Sequence, residues 1–216
     1  MPVETRSSAG RLACIRKPEP VIIAMNEIMP ATIARVIAIS GVILAGVLIV
    51  IAHRRRPELR ASEIALSVYF TAPTRAIMVS AYAAIMAALL STAFVLAIDM
   101  QATPFVSAMA CCAGAVLLAP VVATTQRDAA IMRSEAVRRI HRHAAAAAFV
   151  AVGVAMVASA CAAITEADAP VATLGVLGAV LVARVLRSKP GAGYGLRQKL
   201  MLATLGLWIV SIAMTG

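Results

Sequence analysis

The sequence predicts an all-α fold, a polytopic transmembrane bundle of six helices in three hairpins. Three observations carry it. First, 62% of the 216 residues are hydrophobic and the mean hydropathy is +0.91, more apolar surface than an exterior facing water has room for. Second, uncharged stretches near the length needed to cross about 30 Å of hydrocarbon alternate with charged loops. Third, the basic residues crowd every second loop and are missing from the loops between. The uncharged stretches lack the polar stripe that a soluble bundle needs and the polar–apolar alternation of barrel strands. Aromatic residues make up only 4%, and small aliphatic side chains dominate, as in helices that pack closely within lipid.

Residues 1–29 read as a disordered N-terminal tail and residues 30–216 as the membrane domain, with spans at about 33–52, 76–98, 104–126, 144–165, 170–187 and 199–215. The tail holds no apolar core that would make it a signal peptide. Its Arg6, Arg11, Arg16 and Lys17 leave two readings open: the tail is translocated, or translation starts at Met25 or Met29. Span one ends in His53-Arg54-Arg55-Arg56, and the loop to span two adds Arg60 and Arg75. Within that loop Pro57 suits a helix start and Pro73 a stop, so Pro57–Thr71 reads as a short helix at the membrane interface, partly tucked under the bundle. Spans two and three meet at Asp99–Pro104, which carries no Lys or Arg.

The loop between spans three and four carries Arg127, Arg133, Arg138, Arg139 and Arg142. Residues Arg127–Ala144 favour helix and read as an extension of span three or four. Spans four and five meet at Glu166–Pro170, again without a cation. Span five is short unless Arg184 snorkels, which lengthens it to Leu186. Lys189-Pro190-Gly191-Ala192-Gly193 is a turn, and Arg187, Arg197 and Lys199 make this junction basic as well. Cationic loops stay on the cytoplasmic side, so the three long loops are expected there, with both termini external, in a bacterial inner membrane. Those cations have almost no aromatic residues among them to stack on bases; anionic lipid headgroups are the expected partner and nucleic acid is not.

Few residues point to chemistry. Arg35, Asp99 and Arg184 fall at predicted span ends, leaving no ionisable residue at mid-bilayer of the kind that ion-coupled pumps use. His53, His141 and His143 lie at the basic boundary, outside the positions for axial haem ligands, and His141 and His143 point to different helix faces. We therefore expect no metal and no cofactor. Cys111 and Cys112 in span three and Cys161 late in span four are candidate redox thiols near the external side, although small packing residues of this kind are common in such helices. Gly41 with Ala45, and Gly175 with Ala179, have the spacing of close helix contacts, within the chain or in a homo-oligomer. Trp208 sits too deep for an interfacial belt and reads as a packing residue.

Three segments resemble a bacterial and archaeal six-span membrane family catalogued as domain of unknown function 998. They are Arg56-Pro57-Glu58-Leu59-Arg60-Ala61-Ser62-Glu63-Ile64-Ala65-Leu66, Arg139-Ile140-His141, and Gly195-Leu196-Arg197-Gln198-Lys199 followed by Trp208. The chain departs from the family pattern at Val68-Tyr69-Phe70-Thr71 and at Lys199. The resemblance implies six helices and no established activity. By topology all three segments fall at one membrane face, where Glu63, His141 and Arg197 form a candidate polar cluster for a phosphorylated headgroup or a proton. The leading expectation is a non-enzymatic membrane component that binds lipid or a partner protein. A small-solute or lipid transporter and a thiol-based oxidoreductase are the alternatives.

Overall fold

The computed structural model describes residues 20–60, 62–98, 102–125, 134–189 and 193–215. Six α-helices run through them: α1 Pro20–Arg55, α2 Arg75–Ile98, α3 Ala102–Thr125, α4 Glu135–Thr165, α5 Ala169–Arg187 and α6 Tyr194–Met214. Each contains a stretch long and apolar enough to cross a membrane. Each helix packs on the next, and α6 returns to α1, so the hairpins close into a ring.

Small residues set the closest approaches. A Cβ added at Gly41 would stand 2.8 Å from the Ala84 carbonyl oxygen on α2. One at Gly175 would stand 2.5 Å from the Met156 carbonyl oxygen and 2.8 Å from the Ala160 Cβ on α4. Both small-residue positions are thus spent on contacts inside the chain. Trp208 is fully buried, as expected of a packing residue, and its Nε1–H donates to Ser159 Oγ at 2.9 Å, which joins α6 to α4 across the bundle.

The spans fall where the sequence places them, and the differences are at the ends. The first helix already begins at Pro20 (the tail proper, residues 1–19 with Cys14, lies outside the described residues). Arg35 is therefore not at a helix end. Gly41 faces Ala84 and Ala88, so the backbone of Arg35, six residues earlier in α1, lies near the level of Thr92 and about 9 Å inside the end of α2. The extension expected over Arg127–Ala144 belongs to α4 from Glu135 onward; residues 127–133 lie outside the described residues, as do 190–192 of the last turn. Asp168 caps α5 by accepting from the Val171 N–H, and Gly193, at φ +77°, supplies the left-handed residue that starts α6.

The expected helix over Pro57–Thr71 does not form. Only Leu66–Tyr69 makes a single 3₁₀ turn. Leu66, Tyr69 and Phe70 are all buried, against Ala52, Met78, Tyr82 and Val121. Their i, i+3, i+4 spacing would suit one face of a helix as well, so what displaces the helix is distant partners: the Leu66 N–H donates to Gln198 Oε1 and the Ser62 carbonyl accepts from the Leu196 N–H. The expected tuck under the bundle is present, made by a folded loop.

Candidate functional site

The basic end of the bundle is built on that loop. Arg56 pairs with Glu58 and donates to Thr71 Oγ1 at 2.9 Å and to the Ala72 carbonyl at 3.2 Å, so one guanidinium ties the start of the loop to its end. That contact holds the Glu58 carboxyl below the usual range. The Tyr69 ring stacks on His53 at 4.5 Å between centroids, and its hydroxyl donates to the Leu59 carbonyl. Burial raises the Tyr69 pKa.

The first turn of α6 then docks on the loop. The Leu196 N–H donates to the Ser62 carbonyl at 2.9 Å, and Lys199 Nζ donates to the Ile64 carbonyl at 3.1 Å. The buried Gln198 accepts from the Leu66 N–H through Oε1 at 3.0 Å. In the sequence Gln198 stands between Arg197 and Lys199 and reads as part of a polar helix start, so it carries no separate signal for this contact.

Between this platform, the upper ends of α2 and α3, and the start of α4 lies a cavity of about 880 Å³. Its mouth carries Glu63, Arg138, His141, Arg142 and Ser188. Its interior is apolar, with Leu118, Phe149, Val152, Met201 and Leu205, and it ends near Leu89. From Tyr194 to Leu205 it runs eleven residues down α6, about 16 Å, which is close to one leaflet of hydrocarbon. Two guanidiniums against one carboxylate leave the mouth cationic. Arg138 also pairs with Glu135 at 2.8 Å, and Glu63 with Arg60 at 3.5 Å, both in exposed positions.

His141 is half-buried, 3.0 Å from Thr124 Oγ1 through Nδ1. The Thr124 hydroxyl donates to the Pro120 carbonyl at 2.7 Å, an arrangement that suits a hydrogen on His141 Nδ1 pointing at Thr124 Oγ1. Of the three candidate polar residues, Glu63 and His141 both line the cavity. Arg197 does not: it is exposed and donates to Ser188 Oγ at 2.7 Å, fastening the end of α5 to the start of α6. Successive residues on a helix point about 100° apart, and the inward direction at this turn is taken by Gln198. Arg138, about one turn before His141, and Arg142, the residue after it, supply the cations instead.

The cysteines are spread out. Cys111 is fully buried in the main core, Cys112 is half-buried, Cys161 is exposed, and all three are free thiols. The Ser107 hydroxyl donates to the Ala155 carbonyl, which fixes the register of antiparallel α3 and α4 and sets Cys111 level with Ala151. Cys161 then lies ten residues away along α4, about 15 Å, well beyond disulfide reach. Among the described residues no three His, Cys, Asp or Glu side chains gather as a metal site. No family model, curated protein or solved structure matches the chain.

Proposed function

We propose that this protein is a non-enzymatic component of the bacterial inner membrane that binds an anionic amphiphile, with its headgroup at the basic mouth and its apolar chain in the cavity. The observation that carries this reading is the cavity itself: guanidiniums of Arg138 and Arg142 at the opening, an apolar interior behind them, and a depth matching one leaflet. A polar substrate would not fill such an interior, and a lipid surface alone would not need it. The loops carrying these cations face the cytoplasm on this reading and both termini face outward, by the bias of basic residues. Two of the segments that resemble the domain of unknown function 998 family, at 56–66 and 195–199, are hydrogen-bonded to each other.

Native mass spectrometry of the detergent-purified full chain tests the reading, with phosphatidylglycerol and phosphatidylcholine as probes. Wild type is expected to retain phosphatidylglycerol preferentially. The double variant Arg138→Gln/Arg142→Gln should lose that preference, and Ala145→Phe, which puts a ring into the cavity, should weaken both lipids. Equal retention of the two lipids by wild type, or no effect of either variant, would overturn it.

A further inference from the structure

We infer a second binding site at the opposite end of the bundle, built on Arg35, for a zwitterion that carries a phosphate and a primary ammonium, the phosphoethanolamine group. A cavity of about 180 Å³ opens there, lined by Arg35, Glu166 and Asp168 with apolar walls from Val95, Leu96 and Ile98. It shares no lining residue with the larger cavity. Arg35 is the only Lys or Arg among the described residues at that end. An arginine rooted about 9 Å inside the end of a helical bundle needs a partner for its guanidinium. Yet Arg35 Nε is buried with no hydrogen-bond partner, and Arg35 takes part in none of the salt bridges among the described residues. Nε is enclosed, so the donors left for a phosphate in the cavity are the terminal nitrogens, which can offer it two hydrogen bonds.

The carboxylates specify the rest of the ligand. Glu166 is exposed at the turn between α4 and α5. Asp168 spends Oδ1 on the Val171 N–H, which leaves Oδ2 for another donor. The backbone of Arg35 thus stands deeper in the bundle than the α4–α5 turn that carries the carboxylates. A phospholipid ethanolamine headgroup has the same order, with phosphate toward the hydrocarbon and ammonium toward water. Volume sets the limit: 180 Å³ is below the roughly 300–1,000 Å³ of drug-sized sites, so the cavity takes a headgroup while Val95, Leu96 and Ile98 meet the stem that follows it. A choline headgroup has three methyls in place of the ammonium hydrogens, so it is bulkier and gives the carboxylates no donor.

Native mass spectrometry of the full chain, with phosphatidylethanolamine, phosphatidylcholine and phosphatidylglycerol compared, tests the inference. Wild type should favour phosphatidylethanolamine over phosphatidylcholine. Arg35→Gln should weaken phosphatidylethanolamine by about tenfold or more, the loss expected of charge-assisted hydrogen bonds. Arg35→Lys, with charge but a single donor nitrogen, should fall between. Glu166→Gln/Asp168→Asn, in which asparagine can still cap α5, should remove the preference over phosphatidylcholine, and this pair decides the matter if Arg35→Gln does not fold. Phosphatidylglycerol retention should survive every one of these changes, as it depends on Arg138 and Arg142; failure of Arg138→Gln/Arg142→Gln to lose phosphatidylglycerol would strike the first site and leave this one standing. Free phosphoethanolamine that displaces the lipid would extend the site to the soluble compound, and failure to displace it would mark the lipid as the ligand. Unchanged phosphatidylethanolamine binding in Arg35→Gln, or equal binding of ethanolamine and choline lipids by wild type, would overturn the inference.

Discussion

At Gly175 a single hydrogen atom decides how near α5 can come to α4. A methyl there would meet the Met156 carbonyl oxygen at 2.5 Å, which is backbone and cannot step aside without moving a helix. Gly175→Ala is expected to lower stability by about 1–3 kcal/mol, the cost of overpacking, as measured by unfolding in mixed detergent micelles. Gly46 is the control: nothing lies within 4 Å of its added Cβ, so Gly46→Ala should stay within about 0.5 kcal/mol of wild type. Trp208 makes the complementary case, in which the bulk matters and so does one polar atom. Trp208→Ala should cost about 3 kcal/mol through the cavity it leaves among buried Met156, Leu205 and Ile209. Trp208→Phe keeps most of the ring and loses the bond to Ser159, for about 1 kcal/mol. Ser159→Ala in that background should then add little, because the interaction the two residues share is already gone.

Among the elements, the spans were legible in the sequence and the loop from Arg56 to Thr74 was not, for a physical reason. A spanning helix is dictated by its own composition, since backbone groups in hydrocarbon must be satisfied locally. The loop is held by partners far away in the chain: Leu66 by Gln198, Ile64 by Lys199, Ser62 by Leu196. Proline signals at Pro57 and Pro73 marked where a helix was permitted, and tertiary contacts chose otherwise. Gln198→Ala should leave the buried Leu66 N–H without its acceptor and cost about 1–3 kcal/mol, with faster hydrogen exchange confined to residues 62–70 and the first turn of α6. The same loop has a built-in alkaline limit. Tyr69 is buried and its pKa is raised above the ordinary 10.0. Its folded form therefore holds the proton more tightly than the unfolded one, so the associated stability is complete below pH 10 and is lost as pH rises through the raised value. Phenolate absorbance should appear in step with loop exposure in wild type, and Tyr69→Phe should abolish that alkaline step.

Across the whole molecule the two ends differ in charge, and this difference was legible from the sequence while the cavities were not. Counting arginines locates a face; it does not reveal that Arg138 and Arg142 flank an opening or that Arg35 is rooted a turn and a half inside the bundle. Glu63 and His141 were traceable to the mouth because topology alone brings alternate loops together, whereas choosing Gln198 over Arg197 as the inward residue required the rotation of α6, which no count supplies. The charge bias makes a prediction of its own on the proposed orientation. Arg54, Arg55, Arg56, Arg60 and Arg75 contribute one loop's share; Arg127, Arg133, Arg138, Arg139 and Arg142 the second; Arg184, Arg187, Lys189, Arg197 and Lys199 the third. Each loop holds its own hairpin, so the assignment is redundant threefold. Changing Arg54, Arg55, Arg56 and Arg60 to alanine should therefore leave the orientation as it is, with a cysteine at Ser62 in a chain cleared of its native cysteines shielded from an impermeant reagent added outside intact cells. Neutralising the second and third loops together with the first should remove the bias and give mixed labelling. Labelling at position 62 in the otherwise unaltered chain would show the bundle to be inverted, with Arg35 on the cytoplasmic side.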